Sequence, residues 1–273
     1  MSKNPPGSNS RRFIEVERLV PRKRDMPSTL NYSSIKAVFK VLSKEIGRIR
    51  GLYLLSKAGL TLVINGPRWN PEFFELKDEE EAKHFERIFN EMRPLIFIFE
   101  YLKKMYDEAR ADEITAKMAV PIALPYLIKS FHRIENPNHI NQVRQLSADY
   151  LGDGKGFEWT EKVSEDGLEV RYHFTKCVYI LVLKIYGLKT FAAYSCLADH
   201  ILFDNVMPEF VFGRKHTIGV GDTYCDHILK IRSSDEIEKD EANYEDCYKI
   251  SGGRELVQYW EENYKINKGK FRF

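Results

Sequence analysis

The hydrophobic pattern of this sequence changes its period near Gly152, and this change constrains the fold more than any other feature. Before it, apolar residues recur at helical spacing, most clearly from about Asp78 to about Arg110. After it, "FEWTEKV" and "LEVRYHF" alternate apolar and polar residues around the turn "SEDG", which predicts a β-hairpin. We therefore expect an α+β fold, with a helical N-terminal half packed against a C-terminal unit of antiparallel hairpins and helices.

Composition divides the chain into an arm and one domain. Residues 1–30 are rich in Pro, Ser, Asn and Arg, which predicts a flexible arm. The rest is expected to form a single α+β domain over residues 31–273. Its expected parts are a helical region (31–152), an α+β core (153–232) and a C-terminal extension (233–273).

Proline and glycine predict where the helices bend or end. Pro94 is expected to bend or divide the long helix that starts at Asp78. The segment "MAVPIALPYLIKSF" is apolar all round, which is typical of a kinked, buried helix or helix pair. Gly187 is expected to separate a helix at 176–186 from another at 188–203.

Charge and hydropathy exclude some classes of partner. Lys and Arg total 42 against 40 Asp and Glu, a net charge of +2, so there is no electrostatic case for a nucleic-acid partner. No apolar run approaches the roughly 20 residues that span a bilayer, and the N-terminus lacks the apolar centre of a secretory signal. We expect a cytoplasmic protein that acts on a small molecule, and a homo-oligomer is compatible with the sequence.

A second hairpin, "EFVFGRKHTI" and "CDHILKIR" around "GVGD", carries polar residues near its tip. If its loop contains two or four residues, the register is fixed and the paired side chains share one face. If His216 lies beside Cys225, the imidazole can activate the thiol as a nucleophilic thiolate. The alternative is that this polar end of the hairpin simply faces solvent. The expected pairs are Phe210 with Ile231, Phe212 with Leu229, Arg214 with His227, and His216 with Cys225.

A second polar group is expected on one helix. Cys196, Asp199, His200 and Phe203 are spaced i, i+3, i+4 and i+7, which places them on the same helical face. The Cys, Asp and His could bind a divalent metal or form a thiol–imidazole–carboxylate set. The alternative is a small core cysteine beside a solvated Asp and His. The cofactor requirement is therefore open, either none or a divalent metal. The four cysteines are few and widely spaced, so they are expected to be thiols.

A series of residues in fixed order and spacing extends from about His173 to about Lys230. It comprises Cys177, Gly187–Leu188, Cys196, Asp199, Phe212, Arg214, Thr217, Gly221, Asp222, Cys225 and Asp226. This series resembles the L-2-amino-thiazoline-4-carboxylate hydrolase family. The resemblance implies an α+β fold and hydrolytic opening of a small cyclic amidine to an N-carbamoyl thiol amino acid. The chain departs from the pattern at His227, where the family has Phe.

The first functional hypothesis is a hydrolase-like enzyme acting on a small non-peptide heterocycle or C–N bond. A thiolate at Cys196 or Cys225, or a metal-bound water near Cys196 and Asp199, would attack an sp² carbon. Asp199 or His216 would move the proton, and Arg214 would bind a substrate carboxylate. The other positions expected to contact substrate are Thr217, His227, Asp222, Asp226 and Cys177.

Two further hypotheses come from the aromatic content, 15 Tyr and 17 Phe. A large apolar pocket could bind a hydrophobic metabolite and promote its rearrangement or cyclisation without a nucleophile, as in secondary metabolism. The same pocket could also belong to a non-catalytic small-molecule-binding module.

Overall fold

Helices form the N-terminal part of the chain and an antiparallel sheet with further helices forms the C-terminal part, which confirms the α+β fold. The computed structural model describes residues 11–22, 32–61, 66–131, 134, 136–152, 156–196, 198–205 and 207–232, and the single positions 249, 254, 255 and 258. Between the first strand and the other four strands of the sheet, the helices are α1 (Tyr32–Ile46), α2 (Arg48–Thr61), α3 (Glu79–Met105), α4 (Glu108–Ala116), α5 (Ala119–Ser130) and α6 (Asn141–Leu151).

Capping side chains set the bounds of α3 and α4. Asp78 accepts a hydrogen bond from the backbone N–H of Glu81 at 2.7 Å, which fixes the start of α3 near the predicted position. Pro94 lies inside α3 and does not divide it. The division comes at Asp107, whose side chain accepts from the N–H of Arg110 at 2.8 Å and so begins α4. The prediction of one helix extending to Arg110 is therefore wrong at its end.

The sheet has the order β1-β2-β3-β5-β4, and each neighbouring pair is antiparallel. Its first hairpin is the predicted one. The strands are β1 (Phe13–Glu15), β2 (Phe157–Ser164), β3 (Glu169–Cys177), β4 (Phe210–Gly213) and β5 (Cys225–Ile231). Along β3, Val170, Tyr172 and Phe174 are buried while Arg171 and His173 are exposed. The buried face belongs to the same hydrophobic core as the helices, so the helices cover one face of the sheet.

The register of the second hairpin is confirmed at its apolar end. Phe210 pairs with Ile231 and Phe212 with Leu229. The predicted two- or four-residue tip is wrong, because β4 ends at Gly213 and β5 begins only at Cys225. The intervening residues form a long loop, which we call the hairpin loop (214–224), with a short 3-10 helix at its centre.

Three more helices connect the two hairpins: α7 (Val178–Ile185), α8 (Lys189–Ser195) and α9 (Ala198–Asn205). Gly187 adopts a φ of +87° between α7 and α8, as expected for the residue that separates them. The single helix predicted over 188–203 is instead two helices, and Cys196 lies at the end of the first.

Residues 11–22 lie against the sheet. Phe13 pairs with Ser164 at the start of β1, and the guanidinium of Arg18 lies 4.0 Å from the ring centre of Trp159. Part of the predicted arm therefore contacts the sheet. The rest of that range, 1–10 and 23–30, lies outside the described residues, as does nearly all of the expected C-terminal extension. Within the described part of the chain, no helix has both the length and the apolar character needed to cross a membrane.

Gly156, just before β2, provides a test of this packing. Its φ is +79°, and an added Cβ would lie 2.8 Å from Cβ of Val178. Gly152 has a similar φ of +66° but open space around it. We expect Gly152→Ala to lower the free energy of unfolding by about 1–2 kcal/mol through backbone strain, and Gly156→Ala to cost about 1–3 kcal/mol more through overpacking. Urea unfolding of both variants measures the difference; equal losses would contradict the packing of β2 against α7.

Candidate active site

A buried arginine organises the polar cluster where the sheet meets α8 and α9. Arg214 follows β4 directly, and its side chain is 0% exposed. Its Nη1 donates to Oδ2 of Asp199 at 3.0 Å and lies 3.3 Å from Nε2 of His227, while Nη2 donates to the carbonyl oxygen of Cys196 at 2.8 Å. A buried guanidinium is tolerated only when it is paired in this way. Arg214 and His227 are neighbours, as the register predicted.

The contact with Arg214 determines the tautomer of His227. A guanidinium has only donors, so Nε2 of His227 accepts, and the neutral imidazole carries its proton on Nδ1. The His227 ring is half-buried between Phe174 and Phe212, with centroids 5.0 and 5.4 Å away.

Asp199 is the carboxylate of this cluster with access to solvent. It lies in the first turn of α9, and its side chain is 28% exposed although its partner Arg214 is fully buried. The ion pair fixes one carboxylate oxygen and so orients the group. The broken helix still brings Cys196 and Asp199 together, because both bind the same guanidinium.

The thiols lie near the hairpin loop. Sγ of Cys225 accepts from the N–H of Ile218 at 3.2 Å and donates to Oγ1 of Thr217 at 3.5 Å. Thr217 is buried, and its Oγ1 also accepts from the N–H of Gly219 at 3.2 Å. An added Cβ at Gly219 would lie 3.0 Å from Sγ of Cys196, so glycine allows α8 and the loop to approach closely.

Burial makes these thiols poor nucleophiles. Desolvation raises the pKa of Cys196 to about 12, although the charge of Arg214 opposes the shift. Desolvation also raises the pKa of Cys225, and that of Cys177 rises well above its ordinary range for the same reason. All three residues are free cysteines. At neutral pH they are therefore thiols, not the thiolates that nucleophilic attack requires.

The predicted pairing of His216 with Cys225 is wrong. The N–H of Asp226 donates to the carbonyl of His216, a shift of one residue from the β4–β5 register. The shift moves His216 to the side of Asp226, whose Oδ2 lies 3.1 Å from Nδ1 of the imidazole. Tyr224 also contacts that nitrogen through its hydroxyl at 3.2 Å. No Cys–His pair forms here.

Asp222 in the hairpin loop and Asp226 at the start of β5 hold backbone groups of the loop. Oδ1 of Asp226 accepts from the N–H groups of Lys215 and His216 at 2.9 and 2.6 Å. Oδ2 of Asp222 accepts from the N–H of Thr217 and from Nζ of Lys249, both at 2.8 Å. Both carboxylates therefore help to fix the conformation of the hairpin loop.

The three predicted metal ligands are not assembled into a site. His200 is buried with its ring edge-on to Phe212, centroids 4.8 Å apart, and the oxygen of Asp199 already binds a cation, Arg214. Across residues that the structure describes, no group of three or more His, Cys, Asp or Glu is placed to hold a metal ion.

The sequence analysis missed Lys184 and a set of phenols. Lys184 on α7 donates to the carbonyl of Ile218 and so holds the hairpin loop, and desolvation lowers its pKa. Tyr150 and Tyr179 retain some accessible surface, yet burial raises the pKa of each well above its ordinary range. The charges of Asp199 and Cys177 also contribute to the raised pKa of Tyr150.

The only sequence signal for the phenols was the high aromatic content, since Tyr126, Tyr150 and Tyr179 lie on three different helices. Nothing in their local spacing marks them as neighbours. Lys184 could not be identified from the sequence either, because its partner is the backbone carbonyl of a residue 34 positions away.

The fold and the cluster define an α+β protein whose sheet and helices meet at a buried Arg–Asp–His network. Residues 77–229, more than half of the chain, match the family L-2-amino-thiazoline-4-carboxylic acid hydrolase, and the chain belongs to that family. The matched segment contains α3 to β4 and most of β5, hence every residue of the arginine cluster. Neither the curated proteins nor the solved structures searched include a match to this chain.

Proposed function

We propose that this protein hydrolyses a small non-peptide heterocycle, and that Asp199 is its general base. Membership of the hydrolase family supports the reaction class. The observation that carries the choice of residue is the Asp199 carboxylate, which is oriented by Arg214 at 3.0 Å and still partly exposed. A positioned carboxylate with access to substrate is the group that general base catalysis requires.

In the proposed reaction, water attacks the sp² carbon between the heteroatoms of a cyclic amidine. Asp199 accepts a proton from water as the C–O bond forms and passes it to the ring nitrogen. The hydroxyl of the tetrahedral intermediate then gives its proton, through the same carboxylate, to the ring heteroatom that leaves as its bond to carbon breaks. The net change is the addition of one water molecule.

This assignment changes the roles that the sequence suggested. Arg214 is a positioning residue in the proposal, because its guanidinium already donates to Asp199 and Cys196. Attack by Cys196 or Cys225 is disfavoured by the raised pKa of both thiols. His216, Asp222 and Asp226 hold the hairpin loop.

One observation favours a second candidate function, the rearrangement or cyclisation of a hydrophobic metabolite. Aromatic side chains gather around the partly accessible Tyr150, with the ring centroids of Tyr126 and Phe131 at 5.9 and 5.1 Å from that of Tyr150. Such a surface can shape an apolar substrate without a nucleophile. The two functions differ in stoichiometry: hydrolysis adds water to the product, whereas a rearrangement leaves its mass unchanged.

Removal of the thiols tests the proposed reaction. We expect the Cys196→Ala and Cys225→Ala variants to retain at least about a third of the wild-type kcat/KM, since a general base mechanism needs no thiolate. The assay offers 2-amino-2-thiazoline with and without its 4-carboxylate, and detects the ring-opened product by its free thiol and by mass. Cys225→Ser is the matched control for stability, because its hydroxyl can still accept from the N–H of Ile218. Loss of turnover in folded Cys196→Ala would instead indicate attack by the thiol.

A further inference from the structure

Helix α2 is apolar on two faces, and the protein covers only one of them. Leu54 and Ala58 are buried and belong to the hydrophobic core. On the opposite side, Ile49, Leu52 and Tyr53 are spaced i, i+3 and i+4, so they share one face of the helix. They are 86%, 58% and 53% exposed. We call these three side chains the α2 outer face; exposed apolar groups that lie together in this way mark an interaction surface.

Cations flank the α2 outer face on both sides. At about 100° per residue around the helix axis, the exposed Arg48 lies on one side of the stripe, and Arg50 and Lys57 lie on the other. Lys57 is held in place, because its Nζ donates to the hydroxyl of Tyr53 at 3.1 Å and lies 5.2 Å from the ring centre of Tyr101 on α3. Basic groups therefore border the apolar stripe.

The preceding helix, α1, adds a row of exposed lysines spaced i, i+4 and i+8, which are Lys36, Lys40 and Lys44. Over α1 and α2 together, six Lys and Arg stand against one acidic residue, Glu45. Its side chain is only 10% exposed and is paired with Arg110 and Lys117 at 2.8 and 2.9 Å. The net charge of +2 for the whole chain thus conceals a strongly basic surface on these two helices.

This combination of charge and apolar surface distinguishes between the possible partners. A second copy of the chain would bring the same cations together, because a two-fold interface uses the same patch on both copies. A nucleic acid would attract the cations, but its phosphates offer nothing to the aliphatic side chains of Ile49 and Leu52. A bilayer that contains anionic lipids provides both negative headgroups and an apolar layer beneath them.

We propose that the α2 outer face and its flanking cations dock this protein on an anionic lipid surface. Ile49, Leu52 and Tyr53 enter the boundary between the headgroups and the acyl chains, with α2 lying in the plane of the surface. Arg48, Arg50 and the lysines of α1 contact the negative headgroups. The inference is independent of the proposed reaction, since the arginine cluster takes no part in it.

Vesicle sedimentation with the full chain tests this docking surface. Vesicles of phosphatidylcholine alone are compared with vesicles of phosphatidylcholine and phosphatidylserine at about 3:1, and we expect the wild type to bind the mixed vesicles about tenfold more tightly or better. Arg48→Gln/Arg50→Gln should weaken that binding about 10- to 30-fold, because each cation near an anionic surface contributes several-fold. Ile49→Ser/Leu52→Ser should weaken it about 10- to 100-fold through lost burial of apolar surface.

Two double variants make the same kinds of change elsewhere on the surface. Lys83→Gln/Arg87→Gln removes two exposed cations from α3, and Ile14→Ser/Val20→Ser removes two exposed apolar side chains from residues 11–22. Both should bind mixed vesicles as the wild type does. Because all of these substitutions replace exposed side chains, the urea unfolding midpoints should stay close to that of the wild type.

Four results would overturn the proposal. The first is a wild type that does not bind the mixed vesicles, and the second is equal binding by the α2 variants and their matched controls. The third is binding to a DNA duplex, but not to vesicles, that is lost only in Arg48→Gln/Arg50→Gln, which would assign the cations to a nucleic acid. The fourth is a dimer in light scattering that dissociates in Ile49→Ser/Leu52→Ser and does not bind vesicles, which would assign the stripe to a contact between copies.

Discussion

We expect the replacement of Asp199 by Asn to lower kcat/KM for hydrolysis by about 10²- to 10⁴-fold, the contribution of a positioned general base. The amide keeps the size of the side chain, and its oxygen can still accept from Nη1 of Arg214. What it loses is the ability to take a proton from water. Steady-state turnover of a 2-amino-thiazoline, followed by release of the product thiol, measures the loss.

Asp222→Asn is the control for this experiment. Asp222 is also a partly exposed carboxylate that binds a cation, here Lys249, but it holds the hairpin loop. Its amide retains the oxygen that accepts from the N–H of Thr217, so we expect activity within a few-fold of the wild type. If Asp199→Asn were as active as Asp222→Asn, the assignment of the base would be wrong.

The second large effect is on stability and concerns Arg144 on α6. Arg144 Nε donates to Glu161 at 2.7 Å, and each side chain is only 5% exposed. Arg144 also donates to the carbonyl of Glu17, while Glu161 accepts from Nε1 of Trp159. Arg144→Met leaves the Glu161 charge buried without its cation. We expect the free energy of unfolding to fall by about 3–5 kcal/mol, measured by urea denaturation.

Two comparisons separate the lost ion pair from a general effect of removing a cation. The double variant Arg144→Met/Glu161→Leu removes both charges and should recover much of the stability, as is found when apolar residues replace buried ion pairs. Lys83→Met removes the cation of an exposed ion pair, in which the side chain of Lys83 is 69% exposed and that of Glu79 is 83% exposed. This change should lower the free energy of unfolding by less than about 1 kcal/mol. A loss in Arg144→Met as small as that in Lys83→Met would contradict the buried pair.

The fold could be predicted where a periodic pattern determines it. Alternation fixed the register of Phe210 with Ile231 because a slip by one residue would expose every apolar side chain. The shift at His216 could not be predicted in the same way. It depends on Asp226 accepting from two backbone N–H groups, and such local side-chain contacts leave no trace in hydrophobic periodicity.

The candidate site could be predicted only in part, for a related reason. Register placed Arg214 beside His227, and the family pattern included Cys196 and Asp199, which both bind Arg214. The protonation state of the thiols depends on burial. The sequence does not reveal that desolvation raises the pKa of Cys196 to about 12, so the thiolate expected there does not form at neutral pH.

We propose that the carboxylate of Asp199, and not a thiolate, acts in the hydrolysis. The most direct measurement compares kcat/KM for one 2-amino-thiazoline across wild type, Asp199→Asn and the double variant Cys196→Ala/Cys225→Ser. The predicted result is a loss of about 10²-fold or more in Asp199→Asn, with the double variant within about threefold of the wild type. An active Asp199→Asn beside an inactive, folded double variant would contradict the claim.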